Sequence, residues 1–125
     1  MLIMSRVWPL VVSLSLLFVA AFVAAASLDE RANAAFARVQ VRPDQQAPYE
    51  TLVRDYYKNM NDMVKRASWQ NTGEMLQKIV RSRGEKISDQ TLEKAGKLLD
   101  DKQLQDLRYA LDLANRSFVE SIVTE

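Results

Sequence analysis

Residues 49–67 read YETLVRDYYKNMNDMVKRA and show the most regular pattern of the 125-residue sequence. Apolar side chains recur there at intervals of three and four residues, which is the spacing of one face of an α-helix. These are Tyr49, Val53, Tyr56, Met60, Met63 and Ala67. Pro43 suits the first turn of the same helix, because the N–H group that it lacks would have no partner there. The pattern predicts a long amphipathic helix from near Pro43 to near Ser68.

A shorter helix is predicted upstream, from Leu28 to about Val39. Ser27 or Asp29 can accept hydrogen bonds from the free N–H groups at its start. Its apolar face consists of Ala32, Ala35, Phe36 and Val39. A helix this short is marginal by itself even when it is rich in alanine.

Two shorter helices are predicted downstream of the long one, after a break over residues 68–73. Asn71 and Glu74 have the spacing of a capping box, and Gly84 is expected to end the helix that follows. Ser88 is then expected to cap the next helix.

Asp100 and Gln103 have capping-box spacing as well, and they open a last helix that is predicted to run almost to the C-terminus. Residues 27–125 lack runs of β-branched residues with alternating polarity, which a strand would show. The sequence therefore predicts an all-α fold, either a small helical bundle or an extended helical hairpin of four to five helices. We expect a single domain over residues 27–125.

The first 26 residues have the layout of a secretory signal peptide. Residues 7–26 carry no charge, Arg6 precedes them, and small Ala24, Ala25 and Ala26 end the run, as a signal peptidase requires. An apolar run of this length also matches the thickness of a bilayer core, so an uncleaved membrane anchor is the alternative. In both cases residues 27–125 are expected on the trans side of the membrane, in the periplasm or otherwise exported.

The composition excludes several kinds of active site. The sequence has no His and no Cys, so it cannot form a Ser-His-Asp triad, a thiolate nucleophile, the usual zinc site or a disulfide. Without Arg6, residues 27–125 carry 16 Lys plus Arg and 16 Asp plus Glu, so no basic surface for nucleic acid is expected. We expect a protein that is not an enzyme and that uses no cofactor or metal ion.

Aromatic and methionine side chains are unusually dense in the long predicted helix and just after it. They are Tyr49, Tyr56, Tyr57, Met60, Met63 and Trp69. Most of them lie on the stripe that a bundle would bury, so core packing is one interpretation. Met and Tyr also adapt to varied apolar ligands, so a solvent-facing surface that binds protein clients is the other.

A basic stretch surrounds Gly84 and consists of Lys78, Arg81, Arg83 and Lys86. Cations are favoured near a helix C-terminus, so a solvated helix end is one interpretation. Contact with anionic lipid or with an acidic partner is the alternative.

Two short segments share the pattern hydrophobic-x-x-x-Gln at the starts of two predicted helices. They are Val41-Arg42-Pro43-Asp44-Gln45 and Leu99-Asp100-Asp101-Lys102-Gln103. This arrangement resembles the LTxxQ-motif family of exported helical proteins, the Spy and CpxP group of periplasmic chaperones and envelope-stress modulators. Asp100 stands where the family has Thr and can still cap a helix, whereas Arg42 cannot cap in the same way, and Val41 replaces Leu.

The resemblance implies a protein that binds unfolded or partner polypeptides without nucleotide or metal. We therefore expect an ATP-independent periplasmic chaperone or stress modulator that has protein clients and can form a homodimer. The alternative is a small accessory subunit or inhibitor dedicated to one protein partner. Membrane contact is expected only through residues 7–26, if they are retained.

Overall fold

The computed structural model describes residues 27–123 and contains four helices and no strand within that range. They are α1 (Leu28–Arg38), α2 (Pro43–Ser68), α3 (Gly73–Ala95) and α4 (Asp101–Glu120). The predicted all-α class is confirmed. The predicted signal peptide or anchor lies outside the described residues.

The first two helices begin where the sequence predicts. The hydroxyl of Ser27 accepts a hydrogen bond from the backbone N–H of Glu30 at 3.2 Å, so Ser27 is the N-cap of α1. Pro43 is the first residue of α2, and the helix ends at Ser68, as the apolar period predicts. The N-terminal two helices therefore follow from local sequence signals.

The prediction of two helices separated at Gly84 is wrong, because residues 73–95 form one continuous helix. Gly84 is buried where α3 comes close to its neighbours: a Cβ atom there would lie 3.1 Å from Met60 Cε and 3.6 Å from Asn115 Oδ1. Glycine in a helix interior costs about 1 kcal/mol relative to alanine. Close packing against two other helices offsets that cost and keeps the helix continuous.

Ser88 caps no helix, contrary to the prediction, and instead lies buried in the middle of α3. Its hydroxyl accepts a hydrogen bond from the side-chain amide of Asn115 on α4 at 2.7 Å. Asn71 forms no capping box, because its amide donates to the carbonyl of Ala67 at 3.1 Å. Thr72 is the N-cap residue of α3, and Gly73 follows it with a φ of 58°, a left-handed conformation that favours glycine.

The basic stretch is therefore part of the middle of α3, and its interpretation as a helix end is wrong. All four of its side chains are exposed, namely those of Lys78, Arg81, Arg83 and Lys86. Helix-terminal stabilisation of cations acts within the last turn, so it does not apply here.

The four helices pack side by side. Gln45 and Gln103 are in hydrogen-bond contact, so α2 and α4 start at the same end, and the rings of Tyr57 and Phe118 meet further along at 6.0 Å. α2 and α4 therefore run parallel. α3 returns antiparallel between them and packs against both, while α1 packs along α4.

One cluster of buried side chains runs between the helices. Its largest fully buried members are Tyr56, Met60, Val80, Leu107, Leu111 and Leu113. Within residues 27–123, every buried side-chain nitrogen or oxygen has a hydrogen-bond partner. Because the described residues pack a continuous core and satisfy its polar groups, we expect residues 27–125 to fold as a unit by themselves. None of the helices in this range is both long and apolar enough to cross a membrane.

Candidate functional site

Gln45 and Gln103 occupy equivalent positions in α2 and α4. The side-chain oxygen of Gln45 accepts a hydrogen bond from the backbone N–H of Arg42 at 2.9 Å. The side-chain oxygen of Gln103 accepts one from the backbone N–H of Asp100, also at 2.9 Å. Each glutamine thus turns back onto the residue before its own helix; the capping-box spacing of Asp100 and Gln103 predicts this for the second motif copy.

The two glutamines also hold each other's helix start, although they are 58 residues apart in the sequence. The amide nitrogen of Gln45 donates to the carbonyl of Leu98, just before α4, at 2.8 Å. The amide nitrogen of Gln103 donates to the carbonyl of Gln40, just before α2, and to Gln45 Oε1 at 3.0 Å. Both side chains are buried. We call this reciprocal arrangement of Gln45 and Gln103 the glutamine clasp.

The two motif copies differ in how their first polar residue behaves. The carboxylate of Asp100 accepts a hydrogen bond from the backbone N–H of Gln103 at 2.8 Å and completes a capping box. The guanidinium of Arg42 has no acceptor atom for such a bond and instead pairs with the exposed carboxylate of Asp44 at 3.1 Å. The hydrogen bond from Arg42 lowers the pKa of Asp44. Arg42 therefore provides only its backbone to the cap.

The predicted aromatic and methionine surface is mostly core. Tyr49, Tyr56, Met60 and Met63 are buried, and Tyr57 is half-buried. Trp69 is 73% exposed, but it lies at the far end of α2. A solvent-facing client surface made of all six residues is therefore not formed, and four of them serve the packing of the bundle.

The three tyrosines of this group connect α1 and α4 to α2. The Tyr49 hydroxyl donates to the carbonyl of Phe36 at 2.7 Å, near the end of α1. The Tyr56 hydroxyl donates to the side-chain oxygen of Asn115 on α4. The ring of Tyr57 lies 5.6 Å from that of Phe36, in an edge-to-face arrangement. The contacts of Tyr49 and Tyr57 fix the position of α1 against α2, and that of Tyr56 connects α2 to α4.

Alkaline pH is expected to unfold the protein through these tyrosines. Burial raises the pKa of Tyr49 and Tyr56 above the ordinary value of 10.0, and raises that of Tyr57 to about 12. A tyrosine whose pKa is higher in the folded state than in the unfolded state contributes to the free energy of unfolding. The contribution is fully present below pH 10, and it is lost as the pH rises from 10 through the pKa of the folded state. In the Tyr109→Phe variant, tyrosinate absorbance reports these three groups alone. It should rise together with the loss of helical circular dichroism, and full ionisation of a chain that stays helical would contradict the expectation.

An apolar groove lies between the end of α1 and the first half of α2. Its volume is about 480 Å³. The lining residues are Phe36, Ala37, Val39, Val41, Gln46, Tyr49, Glu50, Val53 and Arg54. We call it the α1–α2 groove. Val41 and Val53 are half-buried in its wall, so their side chains present apolar surface to a ligand.

The clasp supports one wall of this groove. Gln103 holds the carbonyl of Gln40, which lies between Val39 and Val41 in the connection from α1 to α2. Tyr49 holds the carbonyl of Phe36 on the same side. The groove wall is thereby fixed to α2 and α4 before any ligand arrives.

The sequence pattern does not predict this groove. The pattern places Val39 and Val53 on the buried faces of their own helices and Val41 in the motif, and nothing in it brings the three residues together. One sequence signal was available: Arg54 and Asp55 follow Val53 directly, so Val53 lies at the border between the apolar and polar faces of its helix. This signal locates the edge of the apolar face, but it does not show that the end of α1 lies opposite that edge.

Two other cavities carry more polar linings. One of about 140 Å³ lies between α2 and α3 and includes Asp55 and Lys94. The other, of about 260 Å³, lies between α3 and α4 beside an exposed ion pair in which Arg116 contacts Asp112 at 2.9 Å. The α1–α2 groove also has charged residues in its lining, but it is larger than these two cavities and its lining is more apolar, so it is the better candidate for polypeptide binding.

Within residues 27–123, no three His, Cys, Asp or Glu side chains come close enough to hold a metal ion. No protein-family model, curated protein or solved structure matches the chain. The candidate site therefore rests on the groove and the clasp.

Proposed function

We propose that this chain is an exported, non-enzymatic protein that binds apolar segments of other polypeptides in the α1–α2 groove. The observation that carries the proposal is an apolar groove that opens to solvent beside a wall fixed by the glutamine clasp. Export is supported by the uncharged run over residues 7–26.

The groove has the composition of a small protein-binding site. Its apolar lining is mainly valine and aromatic side chains, and the exposed Gln46, Glu50 and Arg54 supply a polar edge. Apolar ligand side chains gain free energy by leaving water, at about 25 cal/mol per Å² of apolar surface buried. These polar side chains can hydrogen-bond the ligand's backbone, as the polar rims of protein interfaces do.

We further propose kinship with the LTxxQ-motif proteins and a role as an ATP-independent chaperone or stress modulator. Support comes from the two motif copies, whose glutamines cap their own helices and hold each other's helix start. A fixed groove needs no nucleotide to open it. Binding and release then depend only on the ligand's affinity and concentration.

An aggregation assay tests the proposal. Residues 27–125 in several-fold molar excess should slow the light scattering of reduced α-lactalbumin. Val53→Asp places a carboxylate in the groove wall and should weaken this effect about tenfold, because a charge there must lose water when the ligand binds. Val123→Asp is the matched control, since Val123 is 70% exposed at the far end of the bundle.

The outcomes separate the two functional classes. Equal effects of Val53→Asp and Val123→Asp would exclude the groove, provided that circular dichroism shows both variants folded. If the protein does not protect α-lactalbumin at all, the general chaperone role is excluded. Cross-linking in the native envelope that yields one stoichiometric partner would instead support the accessory subunit or inhibitor.

A further inference from the structure

Exposed apolar side chains collect at the end of the bundle opposite the clasp. In residues 27–123, four large apolar side chains are more than half exposed. Three of them, Trp69, Met75 and Val123, belong to this end, and Tyr109 lies along α4. We call this surface the Trp69 end. These exposed side chains are thus unevenly distributed between the two ends of the bundle, since none of them is among the described residues of the clasp end.

A short connection and two hydrogen bonds bring the three chain segments of the Trp69 end together: residues 69–72 join α2 to α3, and Gln77 joins α3 to the end of α4. Trp69 follows α2 directly, and Met75 lies in the first turn of α3. The side-chain amide of Gln77 on α3 donates to the carbonyl of Val119 at 3.2 Å and to that of Ile122 at 3.5 Å. The residues that follow α4, including Val123, therefore lie beside the start of α3.

Basic side chains flank the exposed apolar ones. Lys65 and Arg66 lie four and three residues before Trp69, and Lys78 lies three residues after Met75, so each shares a side of its helix with an exposed apolar residue. All three are exposed. Residues 65–78 contain these three cations and one carboxylate, that of Glu74, for a formal charge of +2. Counting Glu120 of α4 as well lowers the formal charge of these named residues to +1.

We propose that the Trp69 end binds reversibly to the surface of a bilayer that contains anionic lipid. Tryptophan suits the headgroup region, because its ring is apolar and its N–H group can still reach water or a lipid carbonyl. The Met75 and Val123 side chains add apolar contact, and the three cations face the lipid phosphates. This site lies at the other end of α2 from the groove: Trp69 is 16 residues beyond Val53, which is about 24 Å along the helix axis. Membrane binding would leave the groove open to the compartment.

This surface differs from the membrane contact that the sequence assigns to residues 7–26. The test therefore uses residues 27–125, whose sole tryptophan is Trp69, because Trp8 lies in the removed segment. Trp69 fluorescence is measured during titration with vesicles of equal parts phosphatidylglycerol and phosphatidylcholine at low salt. We expect a blue shift of the emission, reversal by high salt, and no shift with phosphatidylcholine alone.

Charge variants at the two ends provide the control. Lys65→Gln with Lys78→Gln should lower the partition coefficient about fivefold for each charge removed. The matched pair Lys97→Gln with Lys102→Gln, at the clasp end, should leave it unchanged. The Trp69→Ser variant lacks the fluorescent side chain, so its binding to anionic vesicles is measured by sedimentation. This substitution should lower binding about tenfold.

Three results would overturn the proposal. They are no blue shift with anionic vesicles, a shift of equal size with phosphatidylcholine alone, and equal losses from the two charge pairs. Circular dichroism of each variant establishes that its fold is intact. The vesicle readout does not involve polypeptide ligands, so failure of this proposal leaves the groove proposal standing.

Discussion

Replacing Gln103 with leucine should lower the free energy of unfolding by about 3 kcal/mol, because each buried polar group left without a partner costs about 1 to 3 kcal/mol. The substitution removes the acceptor for the backbone N–H of Asp100 and the donor to the carbonyl of Gln40. It also removes the contact with Gln45. Urea unfolding followed by circular dichroism measures the effect.

Gln105→Leu is the matched control, because Gln105 lies exposed on the same helix. It should change the stability by less than about 0.5 kcal/mol, as surface substitutions do. In a double-mutant cycle, Gln45→Leu and Gln103→Leu should couple by about 1 kcal/mol or more, since they share one hydrogen-bond network. Additive losses would show that the two motif copies act independently.

Replacing Gly84 with leucine should destabilise the protein by about 3 kcal/mol, the upper part of the range for overpacked cores. The new side chain must displace Met60 and Asn115, which lie 3.1 and 3.6 Å from the position of its Cβ. Asn115 also holds Tyr56 and Ser88, so its displacement leaves polar groups in the core without partners. The measurement is again urea unfolding.

Two further variants test whether the loss comes from displacement of Met60 and Asn115. Gly84→Ala should stay within about 1 kcal/mol of the natural sequence, because the gain in helix propensity offsets a contact with the flexible end of Met60. Ser82→Leu adds a leucine on the exposed side of α3 and should have little effect. A Gly84→Leu variant as stable as Ser82→Leu would contradict the close packing of α3 against Met60 and Asn115.

The sequence predicts α2 well because its apolar period persists over the whole helix. The same reasoning fails for α3, where Gly84 and Ser88 are local signals for a helix end and a helix start. Their role depends on Met60 and Asn115, which lie on other helices. Local sequence signals carry no information about such contacts. They therefore predict two helices where tertiary packing stabilises one continuous helix.

The candidate site shows the same limit. Spacing predicts that Gln103 caps its own helix, and the amide geometry of Gln45 follows the same rule. Contact between the two glutamines depends on the parallel arrangement of α2 and α4, which no local pattern encodes. Periodicity identifies the apolar face of α2 but not which part of that face another helix covers. Tyr56 and Val53 belong to the same apolar stripe, yet Tyr56 lies in the core and Val53 lines a groove.

The clasp and the groove are linked through the connection from α1 to α2. Gln103 holds Gln40, and the neighbouring Val39 and Val41 form part of the groove wall. We therefore infer that ligand binding needs the clasp intact. Loss of the clasp would release that wall and add an ordering cost to each binding event.

Binding in the α1–α2 groove can be observed by nuclear magnetic resonance, in a titration of isotope-labelled residues 27–125 with carboxymethylated α-lactalbumin, which stays unfolded. We expect the methyl signals of Val39, Val41 and Val53 to shift together with increasing ligand. The methyl signals of Val80, buried in α3, should stay unchanged. Unchanged valine signals in the groove at saturating ligand, or shifts confined to other faces of the bundle, would show that the groove is not the binding site.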